Sequence, residues 1–184
     1  MRIKTTKEAL VNALTRVKGA VGSSGTMPIL SHVLSEASKN GSYVTATDLE
    51  LVIRTRLDAE VELAGKAVIT ADLLPIIKPL AGIDLALEAD DRRAVVKCEK
   101  SRRTLNVLPV EDYPDVAMEW ATEGGGTICD TKLTSAMHRV FYPVTAVGDP
   151  FSVPGMFMHT SNTGLNLVAS DGHRLARAFL AGTG

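Results

Sequence analysis

Hydrophobic positions near the start of the chain fall at helical spacing. Leu10, Ala13, Leu14 and Val17 share one face, while Asn12, Arg16 and Lys18 take the other. Thr5 and Glu8 form a capping box ahead of that pattern, and Gly19 closes it. Strand-type runs follow at 29–36, 42–47 and 51–63. In the last run Arg54, Arg56, Asp58, Glu60 and Glu62 share one parity, while Ile53, Leu57, Val61 and Leu63 share the other. That alternation predicts one half-buried strand. Asn40-Gly41 is a tight-turn signal between the first two runs.

The order of strand, helix and three strands then recurs. Residues 67–70 are strand-like, and Thr70 caps an expected helix carrying Leu73, Ile76, Ile77 and Leu80. Pro75 and Pro79 predict that this helix is short or kinked, because an interior proline costs about 3 kcal/mol. Strands are expected at 85–89, 94–98 and 103–108. A third copy is the clearest. One offset of 123 carries Leu10, Ala13, Leu14 and Val17 onto Leu133, Ala136, Met137 and Val140, and Arg16 onto Arg139. The same offset carries Gly41 onto Gly164, Ala46-Thr47-Asp48 onto Ala169-Ser170-Asp171, and Arg54 onto Arg177. One ungapped shift across helix, turn and strand marks an internal repeat of about a third of the chain.

Composition narrows the function. The chain has 184 residues, of which 20 are Lys or Arg and 21 are Asp or Glu, so any nucleic-acid surface must be a local patch. Aromatic residues make up only 4%, which argues against a base-stacking platform. The two cysteines, Cys98 and Cys129, lack metal-ligand spacing and read as inert thiols. No apolar run approaches the ~18 residues of a membrane span, and no leader is evident, so a soluble cytoplasmic protein is expected. No cofactor or metal is expected.

The stretch Ser170-Asp171-Gly172-His173-Arg174-Leu175-Ala176 has the look of catalytic chemistry. A hydrolase would use Asp171, His173 and Arg174, but Ser170 would need His173 as its base across a sharp turn. The repeat favours structure for Asp171, since Asp48 holds the same place. Gly172, His173 and Arg174 are specific to the third copy. His138, His159 and Trp120 read as ordinary placements.

Four motifs in order, Thr26–Leu34 (TMPILSHVL), Thr45–Glu50 (TATDLE), Leu108–Pro114 (LPVEDYP) and Ser170–Ala176 (SDGHRLA), resemble the bacterial DNA polymerase III beta subunit family, the sliding clamps. The resemblance runs almost continuously over the chain. It implies an α+β DNA-clamp fold built from βαβββ half-domain repeats, with helices on the inner face and antiparallel sheets outside. One clamp domain is then expected over 1–120 and the first half of a second over 121–184.

The resemblance also implies a non-enzymatic processivity factor that encircles duplex DNA. Sequence-independent phosphate contacts fall to Arg16, Arg139, Lys7, Lys18, Lys78, Lys132 and Ser24. A pocket for short peptides of the polymerase and clamp loader falls to Ser170, Gly172, His173, Arg174 and Leu175. A homo-oligomer is expected, as a dimer or a dimer of dimers, with half-domains of two chains pairing about a twofold. Three departures weaken ordinary DNA contact: Gly22-Ser23-Ser24-Gly25 in a loop where a basic residue is usual, Asp72 at the start of the second helix, and the segment 150–155. The alternative is a clamp paralogue or fragment that binds partners or self-assembles without encircling DNA.

Overall fold

The computed structural model describes residues 1–22, 25, 27–115, 130–144 and 155–182. The chain divides into two compact units, residues 1–118 and 119–184. Ser24, Trp120, Cys129 and most of the 150–155 segment lie outside the described residues.

The first unit begins with β1 (Arg2–Thr6), which buries Ile3 and Thr5 and exposes its alternate positions. Helix α1 (Lys7–Val17) follows. Its cap is Thr6, not the expected Thr5: the Thr6 hydroxyl accepts the Ala9 N–H at 3.1 Å. Thr5 remains in the strand, where its hydroxyl donates to the Asp58 carbonyl at 2.5 Å. Beyond α1 the expected strand at 29–36 starts late. Pro28 opens a one-turn helix over Pro28–Ser31, and β2 runs from His32 to Ser38.

Then come β3 (Gly41–Thr47), β4 (Val52–Leu57), β5 (Ala59–Leu63) and β6 (Gly65–Thr70). The expected single strand at 51–63 is two strands that keep the expected alternation except at Leu63, which was expected inward and is 60% exposed at the end of β5. The break at Asp58 lets the run leave β3, which β4 pairs, and join β1, which β5 pairs. Helix α2 (Leu73–Ile77) is short, as its prolines require. Asp72 takes the cap position, and the Thr70 hydroxyl accepts the Asp72 N–H at 3.2 Å. Pro75 is the third residue of α2, where an N–H has no intrahelical acceptor to lose. Pro79 lies past the helix end. Strands β7 (Asp84–Ala89), β8 (Arg93–Cys98) and β9 (Ser101–Leu108) complete the unit.

The nine strands form one antiparallel sheet in the order β4-β3-β2-β6-β9-β8-β7-β1-β5. The order is reciprocal. The first strand of each half joins the sheet of the other: β1 pairs with β7, and β6 pairs with β2. One core results, in which Leu10, Leu14 and Val17 of α1 and Leu73, Leu74 and Ile77 of α2 pack with Val33, Val44, Leu57, Ile69, Leu87 and Val96 of the sheet. Cys98 is buried there as a free thiol, and its Sγ donates to the Ala81 carbonyl at 3.2 Å.

The second unit has α3 (Asp130–Val140), β10 (Phe157–Ser161), β11 (Gly164–Ser170) and β12 (Leu175–Ala181), with sheet order β10-β11-β12. The offset of 123 carries the limits of α1 onto α3 and of β3 onto β11, residue for residue. Ala136 and Val140 pack with Leu165, Leu167, Ala176 and Ala178. Met137, expected on the buried face, is 40% exposed. Its counterpart Leu14 is buried in the first unit, where α1 lies on α2, and no such second helix is present among the described residues of this unit.

Candidate functional site

Two surfaces carry the expected site residues. On the helix side of the first unit, Arg16 is exposed in the last turn of α1, Lys18 follows it, and Lys78 follows α2. Lys18 and Lys78 border one groove of about 430 Å³ whose walls include Leu14, Val21, Val33, Leu74 and Pro75. Asp72 lines the same groove, so the acid noted at the start of the second helix does lie among these cations. Among the described residues no ion pair engages Arg16, Lys18 or Lys78.

Lys7 differs. Its ammonium donates to the Leu80 carbonyl at 2.8 Å, tying α1 to the segment after α2. A charge-assisted bond of this type contributes about 1.5–3 kcal/mol and occupies one of the three ammonium donors. In the second unit Lys132 and Arg139 stand exposed on α3, with Arg139 at the place of Arg16. Ser24 lies outside the described residues.

The second surface is the β11–β12 turn. Asp171 Oδ1 accepts the His173 N–H at 3.0 Å and the Arg174 N–H at 2.6 Å. Its Oδ2 accepts from the Arg174 guanidinium at 3.1 and 3.0 Å. These donors, the Arg174 backbone first, hold the Asp171 carboxyl below its ordinary pKa. The Ser170 hydroxyl accepts the Gly172 N–H at 3.2 Å and donates to the Arg174 carbonyl at 2.9 Å. Ser170 and Asp171 are thus spent on closing the turn, and the geometry supplies no nucleophile–base pair.

The first unit holds the same turn. Asp48 Oδ1 accepts the Glu50 and Leu51 N–H groups at 3.0 and 2.7 Å, and Thr47 accepts the Leu49 N–H at 3.0 Å. Gly172 has a counterpart after all. Its φ of +82° matches +79° at Leu49, so glycine here answers a left-handed backbone common to both turns.

What the third copy alone presents is His173, Arg174 and Leu175. Leu175 is 64% exposed, and the Arg174 guanidinium lies 5.9 Å from the centroid of the Tyr142 ring. Leu175 heads a parity that Arg177 and Phe179 continue on β12, opposite the one packed under α3. Arg177 donates twice to Asn166 Oδ1, at 3.1 and 2.7 Å. Its counterpart Arg54 instead stacks 4.3 Å from the Tyr43 ring centroid and pairs with Glu36 at 3.3 Å. Sequence reasoning matched the two arginines but not their differing partners.

It also missed the role of Tyr113. This ring is buried with Ile29, Leu30 and Val68, and its hydroxyl donates to the Thr45 carbonyl at 3.2 Å. The LPVEDYP motif is therefore a strap across the first unit, and burial pushes the phenol up to about 12.

Among the described residues no group of His, Cys, Asp and Glu could hold a metal, and no helix is long and apolar enough to cross a membrane.

The chain is similar to known proteins over most of its length. The beta sliding clamp of Proteus mirabilis is 30% identical over 179 residues, covering 96% of this chain and 48% of that protein. That of Pseudomonas putida is 33% identical over 183 residues, with 96% and 48% covered. The solved DNA polymerase III beta of Caulobacter crescentus superposes with a TM-score of 0.83 at 29% identity, covering 99% of this chain and 50% of that one. The DNA polymerase III subunit beta of Pseudomonas aeruginosa gives 0.82 at 31%, covering 98% and 50%. The chain thus spans about half the length of the relatives it matches. The model of the DNA polymerase III beta subunit N-terminal domain matches residues 1–117, and with that match the chain belongs to the DNA polymerase III beta subunit family.

Proposed function

We propose that the chain works as part of a DNA sliding clamp, holding a replicative polymerase on duplex DNA without covalent chemistry of its own. The observation that carries this reading is the exposed cations on helices of repeated half-domains: Arg16 and Lys18 at α1, Lys78 after α2, and Lys132 and Arg139 on α3. Each is sequence-blind toward phosphate, as a sliding contact requires. Lys7 is a structural residue in this reading, since its ammonium is held by the Leu80 carbonyl. Duplex DNA is the nucleic-acid partner.

His173, Arg174 and Leu175 offer a polymerase or clamp-loader peptide an apolar contact beside cationic and imidazole donors. Gly172 and Ser170 set the turn that presents them. Capture on nicked circular duplex, in the presence of the clamp loader, tests the proposal. Retention that ends when the circle is linearised is expected. Retention unchanged by linearisation would refute encirclement. Competition for the polymerase peptide without any loading would favour the paralogue reading instead.

A further inference from the structure

We propose that the outer face of β2, β3, β4 and β6 binds an extended acidic peptide of a partner protein, whose alternate carboxylates meet Arg54 and Arg56. The strand registers set one row across this face. Lys66 pairs with Glu36, Glu36 with Tyr43, and Tyr43 with Arg56. Arg54 stands two residues along β4, opposite Thr45. These side chains point away from the helices, since the opposite parity supplies Val33, Val44, Leu57 and Ile69 to the core.

Charge on this face is uneven. Glu36 is the one acidic residue in the four strands, against Arg54, Arg56 and Lys66. Its carboxylate is already shared, with Arg54 at 3.3 Å and Lys66 at 2.7 Å. Arg56 is exposed and has no ion-pair partner among the described residues. On the other half of the sheet Arg2, Lys4 and Lys97 are each met by Glu62 or Glu88. The fold does not require the row either. At the offset of 123 the places of Glu36, Tyr43 and Arg56 hold His159, Asn166 and Phe179, and those residues pair in the same register.

The occupant follows from the guanidinium groups and their spacing. Arg54 lies 4.3 Å from the Tyr43 ring centroid, and that stacking orients its fork of donors. Glu36 shows the chemistry the fork accepts, a carboxylate. Alternate residues of β4 stand about 6.8 Å apart, and an extended peptide repeats at the same distance. Two carboxylates separated by one residue therefore meet Arg54 and Arg56 in register. Arginine clusters recognise acidic segments in this way. The row lies wholly within the first unit, and binding there does not depend on whether the chain encircles DNA.

Fluorescence anisotropy of the full chain gives the test, with a labelled peptide of about twelve residues in which Glu alternates with Thr. A Kd below about 1 mM is expected at low salt. Arg54→Gln and Arg56→Gln are each expected to weaken binding about three- to fivefold. Glu36→Gln is expected to tighten it, because the competing carboxylate is gone. A peptide carrying the same glutamates in one block is expected to bind more weakly. No binding at about 1 mM peptide, or binding untouched by either arginine substitution, overturns the proposal. So does equal binding of the blocked peptide, since charge alone would then suffice. Tighter binding of single-stranded oligothymidylate, lost with the same substitutions, would assign the face to nucleic acid and overturn it too. Should Arg54→Gln disturb folding, Arg56→Gln decides the matter, because Arg56 has no ion pair to lose.

Discussion

Leu49 holds a backbone conformation that suits glycine. At φ +79° it strains where Gly172 at +82° does not, and the Asp48 and Asp171 turns otherwise share their hydrogen bonds. A left-handed non-glycine residue costs on the order of 1 kcal/mol. Leu49→Gly is expected to stabilise the first unit by up to about 1 kcal/mol, and Gly172→Ala to destabilise the second by about as much, both read by urea unfolding. Tyr113 yields a pH prediction. Its folded phenol is raised to about 12 from 10.0, so the neutral form is the one the fold favours. The stability it contributes is complete below pH 10 and is lost between about 10 and about 12. Tyr113→Phe is expected to flatten that alkaline loss and to cost about 1–2 kcal/mol at neutral pH, because a buried hydroxyl leaves its acceptor. Alkaline unfolding curves of the two proteins check both parts. The long-range partner of Tyr113 could not be read from the sequence, because its acceptor, the Thr45 carbonyl, is 68 residues away.

Elements were legible where a period carries the signal. Helix α1, helix α3 and strand β11 follow from one offset, because the same apolar face must meet the same kind of sheet in each copy. Boundaries were less legible, since they turn on which of two adjacent groups finds a partner. Thr5 and Thr6 are chemically alike, yet only Thr6 faces the helix N–H groups, and Thr5 is claimed by the Asp58 carbonyl. Parity correctly placed Ile53, Leu57 and Val61 inward but could not announce the change of partner strand at Asp58. The proposed site was legible in the same uneven way. Arg16 and Arg139 emerged from the repeat, while the engagement of Lys7 by the Leu80 carbonyl depends on a contact made only after folding. Helix α2 shows why prolines mislead. Pro75 in its first turn forfeits no hydrogen bond, so Pro75→Ala is expected to change stability by less than about 1 kcal/mol, against about 3 kcal/mol for a truly interior proline. Thermal unfolding monitored by circular dichroism distinguishes these outcomes.

Over the whole molecule, charge is nearly balanced, with a formal net charge of −1, so the proposed affinity for DNA must come from where the cations stand. Counterion release makes that placement measurable. Each phosphate neutralised contributes about 0.9 to the slope of log K against log salt concentration. Arg16→Gln and Arg139→Gln are therefore each expected to lower the slope by about one, with weakening that does not depend on DNA sequence. Two controls separate this surface from the rest of the fold. Arg54→Gln is expected to leave the slope unchanged, because that guanidinium stacks on Tyr43 and pairs with Glu36. Lys7→Met is expected to change the slope less than Arg16→Gln does while lowering stability, because the bond to the Leu80 carbonyl holds its ammonium beside the segment after α2. Fluorescence anisotropy with one labelled duplex across a salt series reads all four variants. Equal slopes for wild type, Arg16→Gln and Arg139→Gln would remove these arginines from the DNA surface. A loss of slope in the Lys7 variant as large as that in Arg16→Gln would mean that the ammonium leaves its carbonyl when DNA binds.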